Sequence, residues 1–185
     1  MTVARTEQAG ATLPLRLFLV GFMASGKSTV GSVLAEKLGR PFLDLDAVIE
    51  AEAGESIPEI FESRGEPVFR DLEHRCLTDM AAIPSAVIAT GGGTMVFERN
   101  REAMRRLGVS IWLDPGIDTL LARLRRTAGG DRPLYQDEAQ ARALYNRRVE
   151  AYRMADLRVT SPTEATAHAV ADKIQSLLRE RSCGI

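Results

Sequence analysis

The sequence predicts an α/β fold: a parallel β-sheet covered by helices on both sides. Two observations carry this. Short apolar, β-like runs alternate with longer helical ones along the whole chain. The first such run, residues 15–20, leads directly into Gly21-Phe22-Met23-Ala24-Ser25-Gly26-Lys27-Ser28. That octet is a complete G-x-x-x-x-G-K-[ST] phosphate-binding loop in its required setting of strand, loop and helix start. Its glycines let successive N–H groups turn inward toward phosphate oxygens. Lys27 brings a mobile charge to the terminal phosphates, Ser28 offers a hydroxyl to Mg²⁺, and the helix start adds its positive end. The chain is therefore expected to bind a nucleoside triphosphate.

In order, strands are expected at 15–20, 41–43, 86–89, 109–113 and 157–159. The first helix is expected at 27–38, with Val30, Val33, Leu34 and Leu38 on one face and Gly39 closing it. Further helices are expected at 47–53, 56–64, 68–81, 98–107, 117–127, 138–154 and 162–181. The polar, small-residue start, 1–14, reads as a disordered tail, and 15–181 as one domain without repeat or linker. The segment Thr127-Ala128-Gly129-Gly130-Asp131-Arg132-Pro133-Leu134-Tyr135 interrupts the alternation; its paired glycines and proline fit a hinged lid, near 127–136.

Composition narrows the class. The 185 residues are 45% hydrophobic and carry a net charge of −1, which offers no electrostatic footing for nucleic acid or a membrane surface. Of 24 basic residues only Lys27, Lys37 and Lys173 are lysine. A lysine kept inside the loop of so arginine-rich a chain suggests that a compact ammonium is needed there. Cys76 and Cys183 support neither a disulfide framework nor a zinc site. His74 and His168 read as structural or surface residues. No stretch reaches membrane-spanning length, and the apolar run at 15–20 feeds the phosphate loop, so it cannot be a cleaved signal core. The cytoplasm is the expected compartment.

Three further groups carry chemistry. Leu43-Asp44-Leu45-Asp46 ends the second strand, and strand alternation would project Asp44 and Asp46 together from the carboxyl edge. One carboxylate could then serve Mg²⁺ and the other accept a hydroxyl proton; alternatively Asp46 caps a helix beginning near Ala47. Gly91-Gly92-Gly93 follows the third strand, where a ligand could approach the backbone closely. Arg70 and Glu73 are spaced to pair on a helix, and Arg147-Arg148 lie on the next-to-last helix. From spacing alone, both arginine groups read as surface features.

Taken together these motifs resemble the shikimate kinase family from about Leu15 to Leu178. The resemblance includes Ser56-Ile57-Pro58-Glu59-Ile60-Phe61, the Gly-Glu-x-x-Phe-Arg-x-x-Glu stretch from Gly65 to Glu73, and Arg132-Pro133-Leu134. It implies the three-layer sandwich of the P-loop NTPases, with strand order 2-3-1-4-5. It also implies transfer of the ATP γ-phosphoryl group to the 3-hydroxyl of shikimate, with ATP and Mg²⁺, by a monomer. By the resemblance, Ala24, Ser25, Gly26, Lys27, Ser28 and Thr29 hold phosphate and Arg126 stacks on adenine. Arg132 reaches the transferring group from the lid. Asp46 is the base, Asp44 orders the metal shell through water, and Ser28 meets the metal directly. Arg70 and Arg148 clamp the substrate carboxylate, Gly91, Gly92 and Gly93 meet the substrate, and Glu73 orients that wall.

Two departures stand out. Ala24 replaces a loop glycine, a change expected to be tolerated if its φ is negative. Arg148-Val149-Glu150-Ala151-Tyr152 lacks the family's proline and places an acid near the clamp, with Arg147 as the alternative clamp residue. Other readings are a related kinase for gluconate or a nucleotide, and a nucleotide-dependent switch, although a guanine-reading Asn-Lys-x-Asp is absent.

Overall fold

The structure, a computed structural model, describes residues 15–127 and 138–183. The tail at 1–14, Arg132 and nearly all of the expected lid lie outside the described residues. Five parallel strands form one sheet of order β2-β3-β1-β4-β5. They are β1 (Arg16–Val20), β2 (Phe42–Asp44), β3 (Ala86–Ala89), β4 (Val109–Asp114) and β5 (Leu157–Thr160). The helices are α1 (Lys27–Leu38), α2 (Leu45–Ala53), α3 (Ile57–Asp79), α4 (Glu98–Leu107), α5 (Ile117–Thr127), α6 (Glu138–Tyr152) and α7 (Ala167–Cys183). Short 3₁₀ turns occupy Met80–Ala82 and Thr94–Val96.

Strand alternation divides the core between the two faces of the sheet. Leu17 and Leu19 of β1 join Val30 and Leu34 of α1 and Val170, Ile174 and Leu178 of α7. Phe18 and Val20 point the other way, into a larger layer with Ile49, Ile60, Phe69, Leu77, Trp112, Leu121 and Tyr152. Helix α1 buries Val30, Gly31, Leu34 and Ala35, while Val33 and Leu38 are half-buried at its margin. Gly39 ends it in the left-handed conformation, donating its N–H to Glu36.

One expectation about the elements holds and another changes. The expected helices at 56–64 and 68–81 are the two arms of α3, separated at Gly65, whose φ of 79° and ψ of 170° interrupt the helical path. Ser56 and Glu59 close a capping box at its start. Pro67 sits in the first turn after the break, where it has no helical hydrogen bond to lose. The change is at β2, which ends at Asp44 before α2 begins at Leu45. Asp46 therefore stands on the first turn of a helix and not on a strand. Asp44 is the cap, its Oδ1 accepting the Asp46 N–H at 3.1 Å, because a β-conformation residue with a short carboxylate suits that position.

The register aligns the carboxyl ends that build the site. Asp44 pairs with Ala89, which also pairs with Leu19, so the segments that follow β1, β2 and β3 emerge side by side. On the opposite edge, Gly108 joins α4 to β4 with its Cα against the Arg16 backbone, so any side chain there would overlap the Arg16 carbonyl. Gly108→Ala is expected to cost about 3 kcal/mol, the upper end for overpacking. In a chain of this size that lowers Tm by about 6–12 °C, measurable by differential scanning calorimetry.

Candidate active site

The loop after β1 wraps a polar cavity of about 730 Å³ lined by residues 23–30, Asp44, Asp46, Thr90, Gly92, Arg123 and Arg126, among others. Gly26 enters α1 at φ 95°, in the left-handed region that glycine favours. Ala24 departs from expectation, since its φ is +60° and not negative. The cause is local: Ser25 N–H bonds the Phe22 carbonyl at 3.2 Å, and Ala24 is the third residue of that turn, where type II geometry needs a positive φ. An L-residue there costs about 1–2 kcal/mol. Lys27 folds over the loop, donating to the carbonyls of Gly21 and Phe22, each at 3.0 Å. Ser28 Oγ donates to Asp44 Oδ2 at 2.8 Å, so the two expected metal-side oxygens already face each other. Hard oxygen donors of this kind fit Mg²⁺. Among the described residues no group of three or more acidic, His or Cys side chains could cage an ion. Such a metal would have to take the rest of its ligands from phosphate and water.

Asp46 lies where burial is the main influence on its carboxyl, pushing it up to about 6; Asp44 pushes the same way, and Lys27 opposes both. Its Oδ1 would be 2.8 Å from a Cβ placed on Gly91. The same construction applies to the other two glycines. On Gly92 a Cβ would meet Arg148 Nη1 at 3.4 Å, and on Gly93 it would meet Arg70 Nη2 at 3.0 Å. None of the three has a left-handed φ. Charged side chains from α2 and α3 crowd a Cβ at Gly91 and Gly93, while at Gly92 the approach of Arg148 from α6 is an ordinary contact.

The arginines correct the surface reading. Arg70 is only 13% exposed at its side chain and bonds Glu73, whose side chain is 1% exposed, at 3.2 Å. Glu73 also accepts from Thr94 Oγ1 at 2.7 Å and Asn100 Nδ2 at 3.3 Å. His74 Nδ1 meets Asn100 Oδ1 at 2.8 Å, which makes it a structural member of this network. A buried carboxylate so fully bonded is a fixed support for Arg70 and not a solvated helix pair. Arg148 faces Gly92 while Arg147 is exposed, so the structure brings the first of the two to the site. Glu150, in the place of the proline, is not beside Arg148. It is exposed and pairs with Arg153 at 2.5 Å, and α6 runs on unbroken to Tyr152.

Sequence reasoning missed two side chains. Tyr152 donates to the Gly92 carbonyl at 2.6 Å, and burial pushes its phenol up to about 12 against the pull of the bonded Arg148, so it remains a donor. Arg123 bonds the Ala24 and Ser25 carbonyls at 3.2 and 3.5 Å, bracing the loop from α5; Arg126, one turn on, is exposed at the cavity's rim. The tyrosine's signal was its four-residue spacing from Arg148; that of Arg123 was only a place one helical turn before Arg126.

Comparison with known proteins agrees with this geometry. The family model described as shikimate kinase matches residues 23–179. A shikimate kinase of Gloeobacter violaceus is 48% identical over 152 residues, covering 78% of this chain and 82% of its own. One from Ruegeria pomeroyi is 41% identical over 182 residues, covering 96% and 92%. The structure of the Acinetobacter baumannii shikimate kinase in complex with shikimate superposes with a TM-score of 0.83 at 38% identity, covering 94% of this chain and 97% of that one.

The raised Asp46 carboxyl has a consequence for stability. Between pH 3.8 and about 6 the folded state holds a proton that the unfolded state has released, so stability falls as pH rises through that window. Asp46→Asn removes the penalty. It should raise Tm at pH 7.5, by about 2–4 °C per kcal/mol relieved, and leave Tm unchanged at pH 3.5. Thermal melts of both proteins at the two pH values check this.

Proposed function

The chain belongs to the shikimate kinase family, and we propose that it transfers the γ-phosphoryl group of ATP to the 3-hydroxyl of shikimate, with Asp46 as the base. The observation that carries the assignment is the meeting of three chemistries on one strip of backbone. Asp46, Arg148 and Arg70 lie against Gly91, Gly92 and Gly93 in turn, beside the phosphate loop. An acceptor that carries both a hydroxyl to be deprotonated and a planar carboxylate to be clamped matches that order.

The loop's backbone N–H groups and the start of α1 receive the triphosphate, and Lys27 turns from its loop carbonyls onto the terminal phosphates. Ser28, with Asp44 behind it, would hold Mg²⁺. When bound, that ion neutralises charge on the phosphate oxygens. Arg70 and Arg148 orient the acceptor by its carboxylate, which leaves the far hydroxyl toward Asp46. As the hydroxyl oxygen bonds to Pγ, its proton passes to Asp46 and the bond from Pγ to the β-phosphate oxygen breaks. A carboxyl near 6 suits this role, being ionised at neutral pH yet more basic than an exposed aspartate. Arg126 on the adenine side and Arg132 from a closing lid complete the assignment by resemblance.

The proposal extends to a monomer acting on small molecules in the cytoplasm. Net charge is −1, and no helix among the described residues is long and apolar enough to cross a membrane. Paired guanidinium groups against the triple glycine suit a carboxylate acceptor better than a nucleotide or a protein partner, and gluconate, itself a carboxylate, is separated from shikimate by the acceptor assay.

The test is ADP release with shikimate, quinate and gluconate as acceptors, on the wild type and two variants. Shikimate should be the preferred acceptor. Lys27→Ala should lose both ATP affinity and kcat. Asp46→Asn should bind ATP normally, with kcat reduced at least 100-fold, and should lose the acid limb of kcat/KM near pH 6. Retention of more than about a tenth of kcat in Asp46→Asn would rule out its role as base.

A further inference from the structure

Arg70 is already occupied. Its Nε and Nη2 both donate to Glu66 Oε1, at 3.1 and 3.0 Å. A guanidinium can grip a carboxylate through two parallel bonds on only a few edges. The end carrying Nη1 and Nη2 is closed here: Nη1 bonds Glu73, and both nitrogens sit 3.0–3.1 Å from where a Cβ of Gly93 would stand. Phe69 and Phe97 flank the group, each ring centroid 4.9 Å from Arg70 Cζ. The edge left for a planar anion is the one formed by Nε and Nη2, and Glu66 is on it.

The two acids that hold Arg70 differ in character. Glu73 is buried and tied to Thr94 and Asn100, so it cannot leave. The Glu66 side chain is 59% exposed and stands immediately after the break at Gly65, where its charge can be rehydrated at little cost when it swings away.

We propose that Glu66 is an internal stand-in for the acceptor's carboxylate, bound to Arg70 until the acceptor displaces it. The proposal rests on the reading that Arg70 receives that carboxylate. Glu66 thereby keeps the guanidinium in its working rotamer while lowering affinity for the acceptor.

Isothermal calorimetry with shikimate and with its methyl ester separates this from simple support, because the two roles predict opposite signs. Glu66→Gln and Glu66→Ala should tighten shikimate binding by about two- to five-fold, the range an exposed ion pair is worth. They should leave the neutral ester's affinity unchanged. If Glu66 only orients Arg70, both variants will bind shikimate more weakly; that result, or unchanged affinity, overturns the proposal. Arg70→Lys, which preserves a charge for Glu73, separates failure of the proposal from failure of its premise. Weakened shikimate binding in Arg70→Lys together with unimproved binding in the Glu66 variants overturns the displacement alone. Wild-type affinity in Arg70→Lys overturns the carboxylate clamp and the displacement with it.

Discussion

The site depends on how closely three charged side chains approach one stretch of main chain. Asp46, Arg148 and Arg70 arrive from three different helices and meet the backbone of Gly91, Gly92 and Gly93 at distances where a Cβ at the first or third position would push Asp46 or Arg70 aside. The parallel register brings this stretch beside the phosphate loop, since β1 and β3 are neighbours and Thr90 bonds the Leu19 carbonyl through both its N–H and its hydroxyl. The acceptor's floor and the nucleotide's cradle are thus two loops of one sheet edge. Tyr152 ties the far side of that floor to the core by holding the Gly92 carbonyl.

Such an arrangement opposes stability at several points. A nearly inaccessible Glu73 has to be satisfied by Arg70, Thr94 and Asn100 together, and losing any one partner would strand a buried charge. Asp46 is held among other acids where ionisation is disfavoured. Ala24 adopts a conformation that glycine would adopt more easily. Buried layers on both faces of the sheet offset these terms, and the strain is confined to the edge where ligands bind.

Much of this was legible in the residues. The phosphate loop announces its strand, turn and helix because its spelling is itself a backbone requirement, and the continuous apolar run of β1 marks a strand buried on both faces. The meaning of Asp44 and Asp46 was half legible. Their proximity is legible, but Leu-Asp-Leu-Asp reads as strand alternation or as a helix capped by Asp46, whereas Asp44 is the cap and Asp46 lies in the first turn of α2. From spacing alone the arginines read as surface pairs, because an i,i+3 spacing says nothing about what lies across the gap, and only the family resemblance put Arg70 and Arg148 at the substrate. Thr94 of the 3₁₀ turn and Asn100 of α4, distant in sequence, hold Glu73 in place. The outward turn of Glu150 was likewise invisible, being set by the unbroken course of α6.

The most direct measurement of the central claim is a steady-state comparison of Gly93→Ala with the wild type, varying shikimate and ATP separately. The backbone at Gly93, with φ −103° and ψ −13°, accepts alanine, so the added methyl acts only through its contact with Arg70. The account predicts a rise in KM for shikimate of about ten-fold or more, with KM for ATP and Tm nearly unchanged. An unchanged KM for shikimate, or equal weakening of both substrates, would contradict it.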